Sequence, residues 1–194
     1  GVPDVAVARL PVDSAAELRT VLDKVIRFEL SAATRQGIDV VAGVGGFGAT
    51  VDGVIEMTAR QVMARFVPPD VPVSITKPSH DVTRNRGLPT TIRGQLTGNT
   101  LAWVYLGHGH PQTLDAVSTP DGPRAMFSVN DLSPSPRTPS EDVGPLAMLV
   151  ACYTGAFDDQ RDCLAEELLK QPAGPVGVIA ATRISMPYGN TVLG

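Results

Sequence analysis

The sequence predicts an α/β fold, in which a mostly parallel β-sheet carries helices on both of its faces. From residue 38 onward, short apolar runs of strand length alternate with segments of helical periodicity, as in strands that are joined by crossover helices. The chain contains 19 Gly and 17 Pro residues, so turns are frequent, while 43% of its residues are hydrophobic. This balance predicts a packed core with many loops rather than a disordered chain.

Residues 1–34 are predicted to form a lead-in strand and a linking helix. Residues 4–10 alternate in polarity and are rich in Val, which is typical of a short strand. Ser14 and Glu17 then form a capping box, which marks the start of a helix. Apolar residues recur at helical spacing to about Leu30, and a small, polar connector follows. A domain boundary is therefore expected at this connector.

Residues 35–194 are predicted to form the main domain, whose strands and helices follow one another in the order of a parallel sheet. The predicted strands are 38–42, 71–75, 101–106, 146–151 and 176–181. The predicted helices are 54–66, 90–96 and a third that Asp158 caps and that runs to about Lys170. Within 113–130, Asp121 and Gly122 favour a hairpin, and the proline-rich stretch 132–144 is expected to be a surface loop.

Charge and hydropathy exclude two classes of partner. Sixteen Lys and Arg residues against 20 Asp and Glu give a net charge of −4, and no basic cluster predicts nucleic-acid binding. No run approaches the roughly 18 apolar residues of a membrane span. Two cysteines do not make a disulfide framework. The chain starts at Gly1 rather than Met, from which we expect a processed or excised piece.

A histidine and a cysteine stand at the ends of two of the predicted strands, each within three residues of a glycine. His108 comes after the apolar run 101–106, and Cys152 comes after 146–151. In an open parallel sheet, catalytic groups collect at the carboxyl ends of strands. A cysteine nucleophile needs a base beside it, and the N–H of Gly109 is suited to an oxyanion hole. Taken singly, a strand-end Cys is more often a buried small hydrophobe, and such a His is more often a solvated loop residue.

Four stretches of the chain share features with a known family. The first is 3–10 with the helix that ends near residue 29, and the second is Tyr-Leu-Gly-His-Gly at 105–109. The third is Val-Ala-Cys-Tyr-Thr-Gly-Ala-Phe at 150–157, and the fourth is 163–169 with 174–182. In these stretches the sequence resembles the gingipain-like cysteine peptidases, whose catalytic domain has a caspase-type fold, a three-layer sandwich. The resemblance implies that Cys152 is the nucleophile and His108 the general acid and base. It also implies that the amides of Gly109 and Cys152 form the oxyanion hole, and that hydrolysis passes through a thioester.

The resemblance has further implications for partners and specificity. It implies a peptide or protein substrate, no required cofactor, calcium only by analogy, and a secreted or cell-surface location. In the family an acidic side chain sets a preference for a basic residue before the scissile bond, and Asp52 and Glu56 lie near that position without aligning to it. Gly107 and Met186 are further candidate substrate contacts. The family continues beyond the point where this chain stops, so other segments of the same precursor are expected partners.

Several residues keep alternative interpretations. His110 is a second candidate for the base, and His108, His110 and Cys152 together are candidate zinc ligands, although no fourth ligand has a recognisable spacing. Cys163 lies in a predicted amphipathic helix and is expected in the core. Trp103 and Tyr105 share one face of a strand and are expected in the core as well.

The segment 43–48 matches the glycine pattern of dinucleotide-binding loops, which gives an alternative function. However, about ten residues separate it from the periodicity of the next helix, whereas pyrophosphate binding requires the last glycine to open the helix. The second strand also ends without an acidic partner for a ribose. Another alternative is a catalytically silent domain of the same fold that serves as a binding or scaffold module.

Overall fold

The computed structural model describes residues 7–31, 35–45, 65, 67–132 and 143–185. Its helices are α1 (Ala15–Ser31), α2 (Leu88–Leu96) and α3 (Leu164–Lys170). Its strands are β1 (Ile38–Ala42), β2 (Val73–Thr76), β3 (Ala102–Leu106), β4 (Gly109–His110), β5 (Thr113–Leu114), β6 (Ala116–Thr119), β7 (Gly122–Ala125), β8 (Leu146–Val150) and β9 (Gly177–Ala180). Two short 3-10 helices, Arg84–Gly87 and Val129–Asp131, complete the described elements. None of the helices in these ranges is both long and apolar enough to cross a membrane.

Five strands form a fully parallel central sheet in the order β2-β1-β3-β8-β9. In this sheet Leu106 lies between Ala42 and Val150, which are its register partners on β1 and β8. The carboxyl ends of β1, β3 and β8 therefore meet at one edge. The predicted α/β class with a mostly parallel sheet is confirmed.

One face of the sheet carries the main core. Because side chains alternate along a strand, Trp103 and Tyr105 share this face of β3, and both are fully buried. Helices α2 and α3 cover the face with leucine and isoleucine side chains at helical spacing: Leu88, Ile92, Leu96, Leu164 and Leu168. The expectation that Trp103 and Tyr105 are core residues is confirmed.

Helix α1 starts where the capping signal predicts. Ser14 Oγ accepts the Glu17 N–H at 3.2 Å, and the Glu17 carboxylate accepts the Asp13 N–H at 2.7 Å. Only a narrow stripe of the helix is fully buried, comprising Val21 and Lys24. The apolar periodicity therefore identified the helix but overstated how much of it packs.

Two predicted elements are wrong in the described residues. The described part of the expected first strand, 7–10, is irregular and exposed, and Arg9 forms an ion pair with Glu166 instead of joining a sheet. Asp158 does not cap α3: the helix begins at Leu164 with Cys163 as its N-cap. Asp158 accepts from the Arg183 guanidinium, so its carboxylate is used in an ion pair before the helix begins.

Other boundaries shift by one to three residues, and several predictions lie outside the described residues. Strands β6 and β7 form the expected hairpin, with the turn one residue earlier, at Pro120 and Asp121, and with Gly122 at φ 107°. Of the predicted helix 54–66, only Arg65 is described, and it is helical. Of the proline-rich stretch 132–144, residues 133–142 fall outside the described ranges.

Candidate active site

His108 and Cys152 occupy equivalent positions on neighbouring strands. Leu106 of β3 and Val150 of β8 are register partners, and each of the two residues lies two positions further along its chain. The Gly107 N–H donates to Val150 O at 3.3 Å, so the segment that continues β3 stays paired with β8 past the end of β3. Neighbouring strands run about 4.8 Å apart, so the fold brings both residues to the same short stretch of sheet edge.

Cys152 begins a tight turn that is tied to the chain after β9. Tyr153 has a φ of 58°, a left-handed conformation that is uncommon for a residue other than glycine and that needs support from its surroundings. That support comes from the Tyr153 N–H, which donates to Arg183 O at 3.1 Å, and from the Gly155 N–H, which donates to Ala181 O at 2.9 Å. The turn is therefore held rigidly on the sheet.

The Cys152 thiol is half-buried and lies against Ser185. The Ser185 N–H donates to Cys152 Sγ at 3.3 Å, and the sulfur is 3.5 Å from Ser185 O. A thiol can donate its proton to this carbonyl, whereas a thiolate can accept the bond from the amide. The main chain at Ser185 thus offers a partner to both protonation states of the sulfur.

The His108 ring makes a contact that fixes which nitrogen carries the proton. Its Nε2 atom lies 3.1 Å from Gly45 O, in the loop after β1. A carbonyl oxygen only accepts, so Nε2 must donate, and the neutral ring carries its proton on Nε2. Nδ1 is then the nitrogen that can take up a proton.

Gly109 brings the loop after β3 (residues 107–109, the His loop) close to the turn after β8 (residues 152–155, the Cys turn). A Cβ atom at this position would lie 2.8 Å from Cys152 O, 2.8 Å from Ala151 Cβ and 2.7 Å from Thr154 Cγ2. Such distances are too short for any side chain, so glycine is needed for the two segments to approach. The main chains of Gly109 and Cys152, the expected oxyanion-hole residues, are therefore in direct contact.

Asp115 lies buried behind His108 and was not among the residues predicted for the site. Its Oδ2 atom accepts the Val44 N–H at 3.0 Å and the His108 N–H at 3.2 Å, and it lies 2.9 Å from the Tyr105 hydroxyl. A signal was available, because Asp115 stands between apolar neighbours, Leu114 and Ala116, and a buried tyrosine needs a polar partner. The sequence does not reveal which acidic residue meets which tyrosine.

In the described part of the glycine-rich loop, residues 43–45, main-chain amides donate to groups of this site. The Gly43 N–H donates to Leu106 O at 2.7 Å, and the Val44 N–H donates to Asp115. Both amides are therefore engaged by protein acceptors, while a dinucleotide loop needs its amides for the pyrophosphate. The geometry of these residues argues against the dinucleotide hypothesis.

The remaining histidine and cysteine candidates lie apart from this arrangement. His110 is exposed on β4, where it is the register partner of Thr113. Cys163 is fully buried, as expected for a core residue, and burial raises the pKa of its thiol to about 11. Among the described residues, no three His, Cys, Asp or Glu side chains are grouped to hold a metal ion, so the zinc hypothesis gains no support. Calcium stays an expectation from the resemblance alone.

The candidate substrate contacts are only partly described. Asp52, Glu56 and Met186 lie outside the described residues. Gly107 is described, and a Cβ atom there would lie 2.4 Å from the Tyr105 hydroxyl and 2.6 Å from Asp115 Oδ2. Its lack of a side chain is thus explained by packing behind His108.

Comparisons with known proteins identify the fold and the family of the chain. A solved structure described as that of a protease superposes with a TM-score of 0.59 and 18% sequence identity, over 90% of this chain. The aligned part is 36% of the protease's own length, and at this identity the likeness concerns the fold. No curated protein sequence matches the chain. The sequence profile of peptidase family C25 matches residues 1–194, the whole chain. The chain therefore belongs to peptidase family C25, the gingipain family of cysteine peptidases.

Proposed function

We propose that this chain hydrolyses peptide bonds as a cysteine endopeptidase, with Cys152 as the nucleophile and His108 as the general acid and base. The observation that carries the proposal is the equivalent placement of the two residues, two positions beyond a register pair on adjacent parallel strands. The contact between Gly109 and the Cys152 main chain supports it further. Among the residues that the structure describes, no observation favours a silent scaffold domain over a peptidase.

In the first half of the reaction, His108 Nδ1 takes the thiol proton, and the Cys152 thiolate attacks the peptide carbonyl carbon. The carbonyl electrons move to oxygen, and the amides of Gly109 and Cys152 stabilise the oxyanion. As the carbon–nitrogen bond breaks, the imidazolium gives its proton to the leaving amine. The products are a free amine and a thioester on Cys152.

In the second half, water attacks the thioester carbonyl while His108 Nδ1 accepts its proton. The carbon–sulfur bond breaks, a carboxylic acid leaves, and the proton returns to the thiolate. Gly45 O holds the Nε2 proton throughout, so the imidazolium that forms in each half stays hydrogen-bonded at its far nitrogen.

Specificity is proposed from the sequence alone. A carboxylate in the substrate pocket favours Arg or Lys before the scissile bond through charge-assisted hydrogen bonds. Asp52 and Glu56 are the candidates for this carboxylate, although acids near a helix start also complement the helix dipole. The proposed substrates are peptides or proteins, among them other segments of the same precursor.

The first prediction concerns the nucleophile. Replacing Cys152→Ala or His108→Ala is expected to lower kcat on fluorogenic Arg and Lys peptides by at least about a thousandfold, because the dyad acts as a unit. Cys163→Ser is the matched control, since it changes a thiol that is fully buried and leaves an N-cap oxygen at the start of α3. It is expected to retain the activity.

Alkylation gives an independent measure of the same dyad. Iodoacetamide is expected to label Cys152 first and to abolish hydrolysis with the same time course. Full activity in Cys152→Ala would remove the nucleophile assignment. An inactive parent chain whose Cys152 alkylates no faster than a free cysteine would favour the silent-domain alternative.

A further inference from the structure

Asp115 is a buried carboxylate on which three donors converge at a single oxygen. Along the chain, Asp115 is the single residue between β5 and β6, and it is 7% exposed. Oδ2 accepts from Val44 N at 3.0 Å and from His108 N at 3.2 Å, and the Tyr105 hydroxyl is 2.9 Å away. Hydrogen bonds to a charged acceptor are stronger than neutral ones, so this oxygen anchors donors from two segments, the loop after β1 and β3 with the loop that follows it.

Two glycines make room for the carboxylate. A Cβ atom at Gly43 would lie 2.0 Å from Asp115 Oδ2, and one at Gly107 would lie 2.6 Å from it. Each glycine belongs to one of the two loops that the carboxylate joins. The main chain of each loop can therefore approach this oxygen closely, because each loop has a glycine at the point of contact.

The same carboxylate holds His108 at its main chain and holds the loop that contacts its ring. Val44 precedes Gly45, whose carbonyl accepts from the ring Nε2–H at 3.1 Å. The Tyr105 hydroxyl, which also receives the Asp115 N–H, lies 2.8 Å from His108 O. Because this hydroxyl has one proton, it donates to either His108 O or Asp115 at a given moment.

We propose that Asp115 is a positioning residue for His108 in peptide-bond hydrolysis, an inference that rests on the proposed function. Asp115 does not contact the reacting atoms. It fixes the distance between the main chain of His108 and the carbonyl that accepts its ring proton. The ring is thereby held in one orientation and in one tautomer, with its proton on Nε2.

The test compares Asp115→Asn and Asp115→Ala in the otherwise unchanged chain. Asparagine retains an acceptor oxygen without the charge, whereas alanine removes the acceptor. We expect kcat to fall about 10- to 100-fold in Asp115→Asn and further in Asp115→Ala, because small displacements of a catalytic group are costly. KM is expected to stay within about twofold, because substrate binding is not changed. This partial rescue by asparagine is the signature of an acceptor role.

Asp131→Asn is the matched control. Asp131 also accepts three hydrogen bonds, from Ser128 N at 2.9 Å, from Ser128 Oγ at 2.8 Å and from Arg124 at 2.9 Å. None of these donors belongs to the His loop or to the loop after β1. We expect Asp131→Asn to lose about as much thermal stability as Asp115→Asn, with kcat unchanged.

A second readout does not depend on activity. The chain has only three histidines, so the ring N–H signals can be followed in a ¹⁵N-labelled sample. We expect a protected Nε2–H signal from His108 that is lost in Asp115→Asn, while the signals of His80 and His110 are unchanged. This result would stand even if Cys152→Ala retained activity, so a failure of the proposed function is distinguishable from a failure of the positioning role.

Tyr105→Phe removes only the hydroxyl and serves if the Asp115 variants do not fold. It is expected to lower kcat several-fold, again without a change in KM. The positioning role is overturned by unchanged kcat in Asp115→Asn or in Tyr105→Phe, by retention of the protected signal in Asp115→Asn, or by an equal loss of kcat in Asp131→Asn.

Discussion

Cys152 and Cys163 place the same side chain in two different surroundings. Cys163 is fully buried at the start of α3, and burial raises the pKa of its thiol to about 11, so it stays protonated and inert. Cys152 is half-buried at the open edge of the sheet, with a main-chain N–H on its sulfur. The position of each cysteine in the fold is therefore the basis for proposing Cys152, and not Cys163, as the nucleophile.

Gly109 allows a prediction about the spacing between the loop that carries His108 and the turn that carries Cys152. Gly109→Ala would insert a methyl group within 2.8 Å of Ala151 Cβ and Cys152 O, and the neighbouring main chain cannot give way as a flexible side chain would. We expect a loss of about 1–3 kcal/mol in the free energy of unfolding, typical of overpacking. Peptidase activity is expected to fall with it, because the His loop is pushed away from the Cys turn. Chemical denaturation and the fluorogenic assay measure the two effects.

Gly94→Ala is the control for this substitution. Gly94 lies in α2, and a Cβ atom there would meet nothing within 4 Å. Alanine in a helix interior is expected to raise the free energy of unfolding by about 0.5–1 kcal/mol, with activity unchanged. Wild-type stability and activity in Gly109→Ala would contradict the close contact.

At the scale of elements, helix α1 is joined to the rest of the domain through a buried lysine. Lys24 is fully buried, and its Nζ donates to Leu169 O and, at 2.9 Å, to Pro175 O. Leu169 lies in the last turn of α3, where carbonyls have no partner within the helix. The lysine satisfies such a carbonyl from a neighbouring helix, so the contact between α1 and α3 is polar at its centre.

This contact predicts a pH dependence of stability. Burial, followed by the charge of Arg27, lowers the pKa of Lys24 from 10.5 to about 7. Between pH 7 and pH 9 the unfolded chain therefore binds more protons than the folded one, and the free energy of unfolding rises with pH. At about 1.4 kcal/mol per pKa unit, the rise over this range is up to about 2 kcal/mol.

Comparison of the wild type with Lys24→Met isolates this lysine, because the other titrating groups are common to both proteins. Denaturant unfolding at pH 7, 8 and 9 is expected to give a stability difference between them that changes steadily in favour of the wild type. A difference that does not vary with pH would show that Lys24 keeps an ordinary pKa in the folded chain.

At the scale of the whole molecule, the strand order creates the site. The chain places β2 on one side of β1 and all later strands of the sheet on the other, so the loops after β1 and β3 diverge at this point. In doubly wound sheets, ligands bind at such a switch point, outside the carboxyl ends of the strands. The loop after β1 supplies the acceptor for the His108 ring, and the loops after β3 and β8 supply His108 and Cys152.

The core beneath the site is expected to control global stability. Trp103 is the only tryptophan, is fully buried on β3 and donates to Gln95 at 3.3 Å. Trp103→Ala is expected to lower the free energy of unfolding by about 3–5 kcal/mol, because it leaves a large cavity between the sheet and α2. Circular dichroism during denaturation measures the change. Leu101→Ala, at a position 42% exposed, is the control and should stay within about 0.5 kcal/mol of the wild type; an equal loss in both would contradict the assigned core.

Local patterns in the sequence determined the elements around the site. The apolar runs that became β3 and β8, and the residues that follow them, were enough to place His108 and Cys152 at equivalent strand ends. Strand length, alternation and capping are local properties, and they are encoded by neighbouring residues. The one helix start predicted wrongly, at Asp158, failed because an ion pair with a distant arginine engaged the capping side chain.

Only the tertiary structure decided how the site is held together. The partners of His108 and of Lys24 are main-chain carbonyls and a carboxylate that come from other elements: Gly45, Asp115, Leu169 and Pro175. A main-chain carbonyl is present at every residue, so no sequence pattern marks the one that a folded chain brings within reach. Such partners follow from the order and register of the strands, which long-range packing sets. The sequence alone therefore named the candidate reacting groups, but not the main-chain and carboxylate partners that hold them.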